Sequence, residues 1–158
     1  MNHKVKLLKI NKFYNQKGKL FSLEYSKKKI KNSCPIKVKR IFITYGNSKY
    51  FRGNHAHKKC NQFLICVNGK IKIKLTDLSQ QEKEYVISSK KNYGLLVPKL
   101  IWNKIYFLKK NSILLAICDY KYDRKNEYIE NYKNFIKGKI WLNLGIILKN
   151  IKKLKEIY

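Results

Sequence analysis

Apolar and polar positions alternate with a period of two through most of the first 120 residues, and Gly, Asn, Pro and Asp interrupt the pattern at short intervals. That period belongs to half-buried β-strands, whose successive side chains point to opposite faces. The run VKLLKINKFYN reaches a turn between Asn15 and Gly18, and KLFSLEY resumes beyond it, which predicts a hairpin. KVKRIFITY (37–45) alternates well and follows Pro35, as suits a strand start. A loop at Gly46 and Asn47 leads into RGNHAHKK (52–59). QFLICVNGKIKIKLTD reads as two strands joined at Asn68-Gly69, a dipeptide suited to a tight hairpin turn. YVISS, GLLVP and the two strands of KIYFLKKNSILLAICDY complete the series. Short strands at this spacing predict an antiparallel sandwich or barrel.

The pattern changes late in the chain. Residues 124–136 and 140–157 predict helix, and in the second segment Ile140, Leu144, Ile147, Leu148, Ile151 and Leu154 fall near helical spacing with lysines between them. Gly145 weakens that helix. A helix packed on the barrel or on a partner subunit is the preferred reading of this tail, and a basic helix on a membrane surface is the second. The most apolar stretches, FLICV and SILLAIC, are strand-sized, and MNHKVKLLKINK has no signal-peptide character, so a cytoplasmic location is expected.

With 158 residues the chain suits one domain. Hydrophobic residues at 44% and aromatics at 13% supply a packed interior and exclude a disordered chain. The net charge of +28 raises the question of an anionic partner. Yet only Arg40, Arg52 and Arg124 are arginine, the residue that base readout and phosphate forks favour, and the lysines are spread over the whole chain. No nucleic-acid partner is expected. The same scarcity singles out the arginines: Arg52 lies inside RGNHAHKK and Arg40 opens a strand. Cys34, Cys60, Cys66 and Cys118 form no C-x-x-C pair, so free thiols in a reducing compartment are expected rather than a zinc or redox motif.

Candidate chemistry centres on His55 and His57. On a strand an i, i+2 pair points into one space, and two imidazoles there can share a metal ion or carry protons for a substrate. Lys58 falls on the face opposite His57. Phe42 and Tyr45 lie on a strand feeding the pair, and Trp102 is a candidate pocket wall. No G-x-G-x-x-G or Walker pattern offers a glycine-rich phosphate loop.

His55 and His57, followed by Gln62 and Gly69, resemble the first motif of the cupin superfamily, and Pro98 to Asn103 resemble the second. RGNHAHKK preceded by KRIFITY, then NQFLICVNGKIKIKL, GLLVPKLIW and YDRKNEYIENYKNF, resembles the sugar nucleotide 3,4-ketoisomerases of that superfamily over residues 5–135. The resemblance implies a mainly β fold, a cupin jelly-roll (double-stranded β-helix) with short C-terminal helices. It places a ketoisomerase domain at 1–135, leaving 136–158 as a basic amphipathic tail. It further implies a homodimer with N-terminal strand exchange, no metal or other cofactor, and a dTDP-linked 4-keto-6-deoxyhexose as substrate. On the matching positions His55 and His57 are the catalytic pair, and Arg52 and Arg40 bind substrate, at least one of them at the diphosphate. Tyr45, Trp102 and Asn103 complete the expected binding set.

Departures from the pattern bear on the chemistry. Gln62 stands where the metal-binding cupins have Glu, Asn103 where they have a histidine, and Trp102-Asn103-Lys104-Ile105 where the ketoisomerases read close to WHEM. Amide carbonyls are weak ligands for transition metals, so proton transfer is expected of the histidines rather than coordination. The expected reaction moves a ketone from C4 to C3 through an enediol, in deoxyaminosugar biosynthesis. The second reading is a non-catalytic sugar-nucleotide-binding cupin that partners a transferase.

Overall fold

A computed structural model of the protein describes residues 4–26 and 32–138. The strands are β1 (Lys6–Lys9), β2 (Asn11–Asn15), β3 (Gly18–Ser22), β4 (Arg40–Tyr45), β5 (Phe51–His57), β6 (Gln62–Asn68), β7 (Lys70–Thr76), β8 (Glu82–Ser88), β9 (Tyr93–Val97), β10 (Trp102–Phe107), β11 (Ile113–Cys118) and β12 (Tyr128–Ile129). Among the described residues helix is confined to α1 (Arg124–Glu127), between β11 and β12, and a segment over 132–138, here α2. Among the described residues no helix is long and apolar enough to cross a membrane.

The strands form two five-stranded antiparallel sheets, ordered β1-β9-β6-β11-β4 and β12-β5-β10-β7-β8, with β2 and β3 as a separate hairpin. This is the jelly roll that the alternation and the resemblance lead to. Alternation within each strand builds its interior: Leu64, Ile71, Ile73, Leu95, Phe107 and Ala116 are buried between the sheets. The outer face of the first sheet carries a second core, in which Phe63, Ile65 and Ile117 pack with Cys34 and Ile36. A third forms where Phe135 of α2 covers Ala56 and Trp102 on the outside of the second sheet.

Four local expectations are corrected. VKLLKINKFYN is two strands, because the chain breaks at Ile10, whose side chain is buried and whose amide donates to the Asn92 carbonyl. KLFSLEY ends as a strand at Ser22, and KVKRIFITY becomes one only at Arg40. Residues 124–136 are not one helix. Asp123 caps α1 by accepting from the Asn126 amide, and Tyr128 and Ile129 then turn extended to pair with His57 and Ala56. Tertiary pairing overrides the helical pattern at that point. The boundary expected at 135/136 falls inside α2, and the helix expected over 140–157 lies outside the described residues.

Candidate active site

Between the sheets the apolar interior gives way to polar inner positions on β4, β5 and β6. There a pocket of about 200 Å³ opens. Its wall on β5 is Arg52, Gly53, His55 and His57; Gln62 and Leu64 come from β6, Asn103 and Ile105 from β10, and Tyr128 from β12. Strict alternation cannot put both Arg52 and His55 on one face, since three positions separate them. A bulge does so. Asn103 pairs with His55 while the next residue, Lys104, pairs with Gly53, leaving Asn54 as an extra residue in β5. Gly53 and Asn54 both adopt left-handed backbone, with φ of 80° and 62°. A Cβ on Gly53 would stand 2.9 Å from the Asn103 carbonyl oxygen and closer still to its side-chain oxygen, so only glycine fits.

The two histidines face each other. His55 Nε2 lies 3.3 Å from His57 Nε2, and His55 Nδ1 lies 3.2 Å from the Gly53 carbonyl oxygen. The ring of Tyr128 sits 4.8 Å from that of His55 and 4.6 Å from that of His57. Burial is the main cause holding His55 below the ordinary imidazole range. Burial, followed by the nearby charges of His55 and Arg40, pushes His57 down to about 3. Both rings are therefore neutral near pH 7 and free to take a proton. Burial also raises the Tyr128 phenol, partly offset by Arg40, which keeps it a neutral donor.

Behind this wall, Arg40 reaches Tyr128 Oη at 3.5 Å and Cys118 Sγ at 3.6 Å, and it lies against the rings of Phe42 and Tyr122. Cys118 also receives Gln62 Nε2 at 3.7 Å. Hydrogen bonding from Cys60 overcomes burial and, with Arg40 and Gln62, draws the Cys118 thiol down to about 6; the same contact and burial push Cys60 up. All four cysteines are free and buried.

The structure brings together His55, His57, Arg52 and Asn103, and sets Arg40 beside them through Tyr128. Asn103 is 1% exposed and donates its amide to the His55 carbonyl oxygen, so it braces the histidine strand as well as lining the pocket. Tyr45 and Trp102 are placed elsewhere. On β4 the inward positions are Arg40, Phe42 and Thr44, and Tyr45 points outward at 76% exposure. On β10 Trp102 has the parity opposite to Asn103, and it packs outside the barrel against Tyr132 and Phe135.

Two residues at the site were not singled out from the sequence, Tyr128 and Glu127. Glu127 is 2% exposed, accepts from the amides of Lys59 (2.9 Å) and Cys60 (2.6 Å), and comes within 3.7 Å of His57 Nδ1. A signal was available: acidic residues number nine in the whole chain. His57, Cys60 and Glu127 are also the one described group whose ligand atoms lie close enough, within 4.8 Å of one another, to hold a metal ion. Of the motif positions where metal-binding cupins carry other ligands, Gln62 donates its amide to Cys118 Sγ and Asn103 donates its amide to the His55 carbonyl oxygen.

Comparison with known proteins places the chain in one family. The family described as "FdtA: WxcM-like, C-terminal" matches residues 3–139. A TDP-4-oxo-6-deoxy-alpha-D-glucose-3,4-oxoisomerase of Aneurinibacillus thermoaerophilus is 28% identical over 140 residues, spanning 88% of this chain and 95% of that protein. The sugar 3,4-ketoisomerase QdtA of Thermoanaerobacterium thermosaccharolyticum, crystallised with TDP, superposes with a TM-score of 0.76 at 29% identity, covering 87% of this chain and 96% of that one. A TDP-fucose-3,4-ketoisomerase of Campylobacter jejuni, WlaRA, gives 0.72 at 31% identity, covering 87% and 95%. QdtA has also been crystallised as a histidine-to-asparagine variant with TDP-4-keto-6-deoxyglucose. The family match takes in all twelve strands and both helical segments described above, including the bulged histidine strand and the segment that closes on it, and the chain therefore belongs to the FdtA, WxcM-like C-terminal family.

Proposed function

We propose that the protein isomerises a TDP-linked 4-keto-6-deoxyhexose to its 3-keto isomer, with His55 and His57 carrying the protons. The observation that carries this reading is the pair of imidazole Nε2 atoms facing each other across 3.3 Å on the wall of a pocket. The activities named for the relatives support it.

The chemistry asks for bases and acids but no oxidant. The C3 hydrogen leaves as a proton to an imidazole, its electron pair becomes the C3=C4 π bond, and O4 takes a proton to give the enediol. The O3 proton then departs, its electrons form the C3 carbonyl, and C4 receives a proton from the imidazolium. Two rings that are neutral near pH 7 suit the first step, and a buried neutral phenol, Tyr128, can donate to a developing oxyanion. A pocket of about 200 Å³, smaller than the roughly 300–1,000 Å³ of sites that enclose drug-sized ligands, suits the sugar ring alone. The diphosphate then crosses the mouth, where exposed Arg52 offers a planar fork. Arg40, tied to Tyr128, orients the phenol, and Asn103 holds the histidine strand.

The working unit is a homodimer. Its support is the outward row Ile41, Ile43 and Tyr45, between 54% and 76% exposed, on β4 at the edge of its sheet, together with exposed Phe13 and Leu20 on the β2–β3 hairpin that would serve the N-terminal exchange. Four free buried thiols suit a reducing, cytoplasmic setting.

Incubating the protein with TDP-4-keto-6-deoxyglucose in deuterated water tests the function. A 3-keto product carrying deuterium at C4, with deuterium exchanged into C3 of the recovered 4-keto substrate, is expected by NMR. A folded protein that binds the nucleotide sugar without exchange overturns the isomerase and leaves a binding protein.

A further inference from the structure

His57 and Glu127 meet inside the protein with one polar atom each left over. His57 Nδ1 and Glu127 Oε2 are buried without a hydrogen-bond partner, a condition that native structures seldom leave unused. Their side chains are 4% and 2% exposed. Glu127 cannot drift, because its Oε1 takes the amide hydrogens of Lys59 and Cys60, just beyond the end of the histidine strand. It is this same Oε1, rather than the unpartnered Oε2, that comes within 3.7 Å of Nδ1, roughly 0.5 Å beyond the ~3.2 Å limit of an N–H···O bond. A small tilt of the imidazole pairs the two.

The far end of the pair is arranged in the same way. His55 Nδ1 faces the Gly53 carbonyl oxygen, an atom that can only accept. Acceptors behind both Nδ1 atoms favour the Nδ1–H tautomer of each neutral ring, which turns the two Nε2 lone pairs toward one another. Between them there is room for one proton.

We infer, building on the isomerase reading, that Glu127 is a positioning residue: its carboxylate holds His57 as the Nδ1–H tautomer, so that His55 and His57 act as one base taking up a single proton between their Nε2 atoms. The groups that face His57 set the working pH. His55 on its own strand and Arg40 from β4 disfavour its charge, as burial does, while Tyr128 from β12 stays neutral and the Cys60 thiol beyond the strand end keeps its proton. The Glu127 carboxylate acts in the opposite sense and raises the basicity of the ring once it closes on Nδ1. Removing that charge weakens the base and moves its titration to lower pH.

Nitrogen-15 NMR of the histidine-labelled full chain reads the tautomer directly. Wild-type protein is expected to show Nδ1–H on both rings, and Glu127→Gln, folded by circular dichroism, to shift His57 toward Nε2–H. A wild-type His57 protonated on Nε2 overturns the inference without any variant having to fold, and so does a tautomer unchanged in Glu127→Gln. In turnover, Glu127→Gln is expected to lower kcat by roughly 10- to 100-fold at nearly constant KM, with the acid limb of the pH profile displaced downward and Glu127→Asp recovering part of the loss. A fall in kcat with the limb in place overturns the inference, since that is what a purely structural carboxylate produces. Should the wild-type protein fail to turn over, the isomerase reading falls while the tautomer measurement still decides the role of Glu127.

Discussion

The rings of His55 and His57 stand nearly perpendicular, at 88°, with their Nε2 atoms 3.3 Å apart. Groups this close do not work independently. His55→Asn and His57→Asn are each expected to lower kcat by about 10²- to 10⁴-fold, and the double variant to be little worse than either single one. Losses that multiply would separate the rings into independent catalysts. Steady-state turnover, with TDP affinity measured in parallel, provides the check.

His57 also makes the protein sensitive to acid. Its ring titrates near 6.5 in an unfolded chain and is held down to about 3 in the folded one. Between those values the unfolded chain carries the extra proton, so the contribution is complete above pH 6.5 and is lost as the pH falls toward 3. At about 1.4 kcal/mol per unit the loss reaches several kcal/mol. Urea unfolding at a series of pH values should show this slope, and His57→Asn should flatten it.

Gly53 is expected to tolerate no side chain. Gly53→Ala has to accommodate both a positive φ and a Cβ pressed on Asn103, a strain of about 1–3 kcal/mol. The relief available is to undo the bulge, which turns Arg52 away from His55. Loss of activity greater than the loss in thermal stability is the expected result.

Arg52 should separate binding from chemistry. Arg52→Ala is expected to raise KM by roughly tenfold or more with little change in kcat, because a charged hydrogen bond is worth about 1.5–3 kcal/mol. Arg52→Lys should recover part of the affinity but lack the fork. Calorimetric titration with TDP isolates the phosphate contribution. An unchanged TDP affinity in Arg52→Ala would place the diphosphate elsewhere.

Ile43→Glu tests the proposed dimer. Ile43 is 54% exposed on the edge strand of its sheet, and a charge there should release monomers in light scattering while the folded chain persists. A wild-type protein that is already monomeric removes the assembly from the proposal.

The sequence carries the strands and the histidine pair because alternation and hairpin chemistry are local. Asn68-Gly69 joins β6 to β7 where expected, with Gly69 at a φ of 77°. What sequence could not carry depends on which face a strand presents and on pairing with distant residues. Tyr45 and Phe42 are both aromatic and differ in parity, so nothing local says which one turns inward. The bulge at Asn54 inverts the parity between Arg52 and His55, and no spacing rule anticipates it. Tyr128 and Ile129 sit in a stretch with helical character and become a strand because the free edge at His57 and Ala56 is there to pair with. Glu127 was legible only through scarcity, the argument that picked out the arginines.

The strand at Tyr128 and Ile129 also sets an order of events. Strands β1 to β11 are complete at Cys118, whereas the Glu127 carboxylate, β12 with the Tyr128 phenol, and the covering Phe135 come later in the chain. Because synthesis runs from the N-terminus, a nascent barrel holds both histidines before anything fixes the outer nitrogen of His57. A messenger truncated near codon 122 would thus encode β1 to β11 and both histidines yet lack the strand that closes on them and the groups that set their protons, and the last stretch of translation acts as the step that arms the site.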